Sequence, residues 1–187
     1  MSDARPVADA VVALLREHDL SVGTAESLTG GLVCAALTSV PGASTVVRGG
    51  VVAYATDVKA DLLGVDRDLL AREGAVCEPV AAQLAHGIRH AVGCAVGVST
   101  TGVAGPEPAD GQPVGTVFVG VSGPWGILVE RLALTGGRAE IRAASVLAVL
   151  TLLERALQNL RDGVGGSGYR GPTGRSTVRT DEGEEAP

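Results

Sequence analysis

At 187 residues, 45% of them apolar and only 2% aromatic, the chain has room for one domain with an aliphatic core and not comfortably for two. A formal net charge of −6 and the scarcity of rings weigh against nucleic-acid binding, which calls for a basic footprint and stacking platforms. No uninterrupted apolar run reaches the roughly 18 residues of a membrane span, and "MSDARPVADAVV" lacks the basic-then-apolar order of a signal peptide, so a soluble, cytoplasmic protein without membrane or nucleic-acid partners is expected.

Pro6 suits a first helical turn, and Val7, Val11, Leu14 and Leu15 recur at helical spacing, so the chain opens with a helix. "LSVGTAE" (20–26) alternates like a short strand and runs into "SLTGGLVCAALTSV", where hydroxyls and a glycine pair precede a helical pattern. "TVVRGGVVAY" reads as β structure, with Gly49 and Gly50 marking a bulge or a close backbone approach. "TDVKADLLG" predicts a short helix stopped at Gly64, and a second lies around 67–72. "EPVAAQLAHGIRHAVG" is a helix punctuated by Pro79 at its start and Gly93 at its end. "CAVGVSTTGVAGP" is a buried strand opening into a glycine loop, and "VGTVFVGVSGPWGILVERLAL" is an antiparallel hairpin about a Gly-Pro turn. The longest helix follows, with Ile141, Leu150, Leu153, Leu157 and Leu160 along one stripe. Residues 163–187 are Gly-rich and then acidic, the composition of a disordered tail, which leaves 1–162 as the domain. This order of elements predicts a single layered α/β/α domain with a mixed β-sheet.

Three cysteines, Cys34, Cys77 and Cys94, lie in apolar contexts without CxxC spacing and read as small buried hydrophobes. His86 and His90 share a helix face, but nothing near them in sequence completes a metal site, so they read as a solvated pair.

Four polar patches carry the candidate chemistry. "AESLTGG" (25–31) ends a strand and opens a helix, so its N–H groups either cradle an anion or are merely capped by Ser27 or Thr29. "PGASTVVRGG" places Ser44 in a turn, where hydroxyls usually serve the turn itself. "STTGVAGP" (99–106) is either a ligand loop at a strand's carboxyl end or a tight connection. The fourth is Lys59, the only lysine, in a chain where the other fourteen of its fifteen Lys and Arg residues are arginine. A partly buried lysine can lose its proton and act as a base, which arginine cannot do, although compositional bias is the plainer account of its rarity.

The words "TAESLTGG", "VPGASTVVRGGVVAYATDVKADLLGV", "GAVCEPV", "TTGVAGP" and "PVGTVFVGV", in this order, resemble the C-terminal domain of the competence/damage-inducible CinA proteins, the nicotinamide-nucleotide amidase family, over about residues 5–160. The resemblance implies a stand-alone, cofactor-free amidohydrolase converting nicotinamide mononucleotide to nicotinate mononucleotide and ammonia, and a homo-oligomer is expected. It implies Ser44, Tyr54 and Lys59 as the catalytic set, with Ser44 as nucleophile and Lys59 as base acting directly or through the Tyr54 hydroxyl. It further implies Ser27, Thr29, Gly30, Gly31, Thr101, Gly102 and Arg142 at the substrate, with Arg142 and the helix opening after Ser27 on its phosphate. The alternative is a nucleotide-binding or regulatory protein that keeps the pocket without turnover. The chain departs from the family's words at Leu28, Ala55, Thr56 and Gly136-Gly137-Arg138.

Overall fold

A computed structural model describes residues 4–162; the tail expected over 163–187 lies outside the described residues. The elements follow the predicted order: α1 (Arg5–Glu17), β1 (Val22–Glu26), α2 (Leu32–Thr38), a 3-10 turn (Ala43–Thr45), β2 (Val47–Val52), α3 (Thr56–Leu63), α4 (Arg67–Glu73), α5 (Glu78–Val92), β3 (Val96–Gly102), β4 (Thr116–Gly123), β5 (Gly126–Ala133) and α6 (Arg138–Arg161). They end where sequence chemistry ends them. Pro6 occupies the first turn of α1, and Gly64 and Gly93 close α3 and α5 in the left-handed region that other residues avoid.

The five strands form one mixed sheet in the order β2-β1-β3-β4-β5, with β2, β1 and β3 parallel, β4 antiparallel to β3 and β5 antiparallel to β4. Helices α1, α2 and α6 cover one face, and α3, α4 and α5 cover the other. The α/β/α expectation is therefore met. Strand alternation divides the core: Val22, Val96, Val98, Val117, Val119 and Val121 join Leu150, Leu153 and Leu157 of α6, whereas Ala25 joins Leu63, Leu84 and Ile88 across the sheet. By length and composition α6 is apolar enough to cross a membrane, but here it packs its stripe against α1, α2 and the sheet. Cys94 is buried and Cys34 and Cys77 are half-buried, all three as free thiols.

Small residues let α5 lie close to the sheet and to α3. A Cβ on Gly97 would stand 1.9 Å from the carbonyl oxygen of Ala85, and one on Gly87 would meet the carbonyl of Leu63 at the same distance. Both obstacles are backbone, so relief requires moving the helix. Gly97→Ala is expected to destabilise the fold by about 3 kcal/mol, the upper part of the usual range for overpacking, read as a lower urea midpoint at unchanged m value.

Candidate active site

The parallel strands bring three loops to one edge of the sheet. Glu26 pairs with Val52 on one side and with Thr100 on the other. The next residues along, Ser27, Ala53-Tyr54 and Thr101-Gly102, therefore come off the carboxyl ends side by side, where open α/β sheets bind ligands. Because β4 is antiparallel and begins there, the β3–β4 loop also arches over this edge. The start of α6 supplies the remaining wall. Together they enclose a cavity of about 170 Å³ lined by Ser27, Leu28, Tyr54, Thr56, Lys59, Ala75, Val76, Thr101, Gly102, Ala104, Ala109, Asp110 and Arg138.

Lys59 lies on α3 and is 1% exposed. Its Nζ donates to the carbonyl of Ala53 at 2.7 Å and to that of Tyr54 at 3.2 Å. Burial pulls its pKa below the usual lysine value, opposed in part by the negative charge of Asp110. Two carbonyls satisfy the two N–H bonds of a neutral amine and leave its lone pair directed elsewhere, so this environment tolerates the unprotonated form. Ser27, half-buried on the same cavity, makes no side-chain hydrogen bond among the described residues, while its N–H donates to the Thr100 carbonyl at 3.0 Å.

The loop after Ser27 is held from inside. Glu26, 1% exposed, accepts from the N–H groups of Gly31 (2.9 Å), Val33 (3.0 Å) and Cys34 (2.8 Å) and from the Thr29 hydroxyl (2.7 Å). Thr29 also shares a 2.7 Å hydrogen bond with the Thr100 hydroxyl. Arg142 clamps the loop from α6, its Nε donating to the Leu28 carbonyl at 2.9 Å and its Nη2 to that of Thr29 at 2.8 Å. A buried carboxylate thus occupies the helix opening that the sequence offered as an anion cradle.

Several expectations change as a result. Ser44 does not join Tyr54 and Lys59. It sits exposed in the 3-10 turn before β2, lining a separate groove with Cys34, Thr38 and Gly49. Tyr54 follows the other end of β2, and a strand of six residues spans roughly 17–20 Å. Nor does the Tyr54 hydroxyl connect with Lys59; it accepts from Arg138 Nη2 at 2.8 Å, and Tyr54 meets the amine through its carbonyl. Of the residues expected at the substrate, Ser27, Thr101 and Gly102 line the cavity, with the Thr101 hydroxyl donating to the Ala75 carbonyl at 2.7 Å. Thr29, Gly30, Gly31 and Arg142 do not line it; they build the loop beside it. Sequence reasoning missed three members of the assembly: Glu26, Asp110 and Arg138. Arg138 carried a signal, since it ends the Gly136-Gly137-Arg138 word; Glu26 and Asp110 carried none beyond their charge.

Elsewhere, an open groove of about 630 Å³ lies at the amino ends of the parallel strands, between Arg16, Asp19, Ser21, Thr45 and Arg48. It is larger but contains no buried titratable group, and Arg16 is already bonded to Gly42 and Thr45 across it. His86 and His90 are exposed on α5 with their Nε2 atoms 3.2 Å apart. Among the described residues no group of three or more His, Cys, Asp or Glu is placed to hold a metal ion.

A mixed-sheet α/β/α domain with a polar cavity at the carboxyl edge of its parallel strands defines the class as an α/β protein with a candidate ligand site where such sheets commonly place one. More particularly, the chain belongs to the CinA C-terminal domain family, whose profile matches residues 4–157. It is 48% identical over 150 residues to a CinA-like protein of Frankia casuarinae, covering 80% of this chain and 35% of that one. A putative competence-damage inducible protein of Geobacillus sp. is 49% identical over 132 residues, or 70% of this chain and 32% of the relative. The chain thus spans about a third of the length of the curated relatives it matches. Solved structures match it over nearly their whole length. The competence/damage inducible protein CihA of Agrobacterium tumefaciens has a TM-score of 0.79 at 37% identity, covering 84% of this chain and 97% of that one. A CinA superfamily protein of Klebsiella pneumoniae has a TM-score of 0.81 at 28% identity, covering 84% and 99%.

Proposed function

We propose that the protein is an amidohydrolase that deamidates nicotinamide mononucleotide, with Ser27 as nucleophile and Lys59 as general base. The observation that carries this reading is a buried amine, held by two carbonyls, on the same small cavity as a serine hydroxyl that makes no hydrogen bond among the described residues. A lysine adjacent to a serine is an established substitute for histidine in activating the nucleophile.

In the proposed reaction, neutral Lys59 takes the Ser27 proton as the oxygen attacks the carboxamide carbon. The ammonium so formed returns a proton to the departing nitrogen, releasing ammonia and leaving an ester on Ser27. Water, deprotonated by the same amine, then hydrolyses the ester to the carboxylate and restores the serine. Leu28 and Ala104 line the cavity, and their N–H groups carry no hydrogen bond among the described residues, which makes them the candidate donors for the developing oxyanion. Leu28 directly follows the nucleophile, as one oxyanion donor does in other serine hydrolases.

The cavity is smaller than the about 300–1,000 Å³ of a typical ligand pocket, so the carboxamide ring would enter while ribose and phosphate remain at the mouth. Arg138 lines the cavity and is exposed, so it is the phosphate partner in this reading, in place of Arg142, which does not line the cavity.

The test compares two serines. Ser27→Ala is expected to lower ammonia release by at least about 10³-fold, the scale on which nucleophile removal acts. Ser44→Ala is expected to leave it within about twofold and to change stability by less than about 0.5 kcal/mol, because its side chain is exposed and makes no hydrogen bond among the described residues. The opposite pattern would return the nucleophile to Ser44. Wild-type protein that binds the nucleotide in calorimetry but releases no ammonia would be a binding module.

A further inference from the structure

We propose that Asp110 is a specificity-determining residue, selecting a positively charged ring, an N-substituted pyridinium, over an uncharged ring of the same shape. The proposal rests on the amidase reading for its choice of ligand and adds what the pocket demands of the ring.

Asp110 sits on the β3–β4 loop and lines the cavity that holds Lys59. Its Oδ2 accepts the Ala75 N–H at 2.7 Å, and the carbonyl of the same Ala75 accepts the Thr101 hydroxyl at 2.7 Å. The carboxylate is therefore anchored to a residue that is itself fixed to β3. Gly74 brings the two loops together: with φ at +75°, a Cβ there would stand 2.8 Å from the Asp110 Cβ. Among the described residues Asp110 takes part in no ion pair and Oδ1 accepts no hydrogen bond.

The cation on the same cavity wall is the Lys59 amine, whose charged form the Asp110 carboxylate favours against burial. A lysine that works as a base gives up this charge. The carboxylate then faces the cavity without a counterion, solvated by water until a ligand covers it. On the same cavity, Arg138 donates to the Gly105 carbonyl at 2.7 Å and to the Tyr54 hydroxyl, and it too has no ion-pair partner among the described residues. Asp110 and Arg138, both exposed, thus line one cavity with opposite charges that no ion pair offsets among the described residues. The complementary ligand is positive beside Asp110 and anionic beside Arg138. Oxidised nicotinamide mononucleotide has this polarity. Its 1,4-dihydro form keeps the carboxamide, ribose and phosphate but loses the ring charge.

The experiment uses these two nucleotides in calorimetry, with Ser27→Ala as the parent to suppress turnover while preserving charge. The parent is expected to bind the oxidised form about tenfold more tightly than the dihydro form, a modest effect for one partly solvated ion pair. Adding Asp110→Asn is expected to erase this preference by weakening the oxidised form alone. Asparagine still accepts the Ala75 N–H, and unchanged dihydro affinity shows that the pocket has stayed intact. Equal weakening of both forms, or no weakening of either, overturns the proposal, as does a parent that binds neither. Failure of the amidase reading looks different: wild-type protein would show the charge preference yet release no ammonia.

Discussion

Lys59→Met is expected to cut ammonia release by at least about 10³-fold while leaving the chain folded. General bases contribute about 10²–10⁴-fold, and methionine has the length of lysine without a proton acceptor of useful basicity. Methionine removes the cost of desolvating a buried amine and with it the two hydrogen bonds to the carbonyls of Ala53 and Tyr54. These effects oppose each other, so stability near neutral pH should change by no more than about 1 kcal/mol. The pH dependence provides the sharper readout. Lys59 has a lower pKa in the folded chain than in the unfolded one, so between these two values the unfolded state binds more protons. Stability therefore rises with pH from the lowered folded value up to the ordinary value of about 10.4, and below the folded value this group adds no slope. The rate should rise with pH through the same lowered folded value, because the base must be neutral. Urea titrations across alkaline pH should show the rise in wild type and its loss in Lys59→Met, and a variant that keeps the wild-type rate would remove Lys59 from the mechanism.

Glu26→Ala is expected to be the most destabilising single change near the site. It strands three buried or part-buried N–H groups and leaves the Thr29 hydroxyl only its bond to Thr100. Hydrogen bonds to a charged group are each worth about 1.5–3 kcal/mol, but they act as one unit and the loop can admit some water, so a net loss of about 3–5 kcal/mol is expected. At about 2–4 °C per kcal/mol for a chain of this size, melting should fall by roughly 10 °C or more. Glu26→Gln should lie between, since its NH₂ group faces donors that need an acceptor. Activity should fall in both variants, because Ser27 adjoins the anchored carboxylate. A melting temperature within about 2 °C of wild type for Glu26→Ala would show that this anchor is dispensable.

Most of the fold was legible because it depends on local chemistry. Pro6, Gly64 and Gly93 mark helix ends through backbone constraints that need no partner, and the apolar stripe of α6 follows from its own spacing. The site was legible only in part. Lys59 stood out because a desolvated lysine has proton chemistry that arginine lacks. Asp110 did not, because one carboxylate in a loop looks like any other until a cavity forms beside it. Arg142 and Thr29 were recognisable as site residues, yet whether they face the ligand or the loop depends on packing between α6 and the β1–α2 turn, elements far apart in the chain.

The sequence by itself determined the order of elements, their ends, and the single cation suited to act as a base. Tertiary structure decided which serine shares a cavity with that cation. Ser44 is nearer to Lys59 along the chain, but β2 intervenes and carries the two to opposite edges of the sheet. Ser27 is more remote in sequence, yet β1 runs parallel to β2 with Glu26 opposite Val52, and strands paired in parallel deliver their carboxyl ends to the same place.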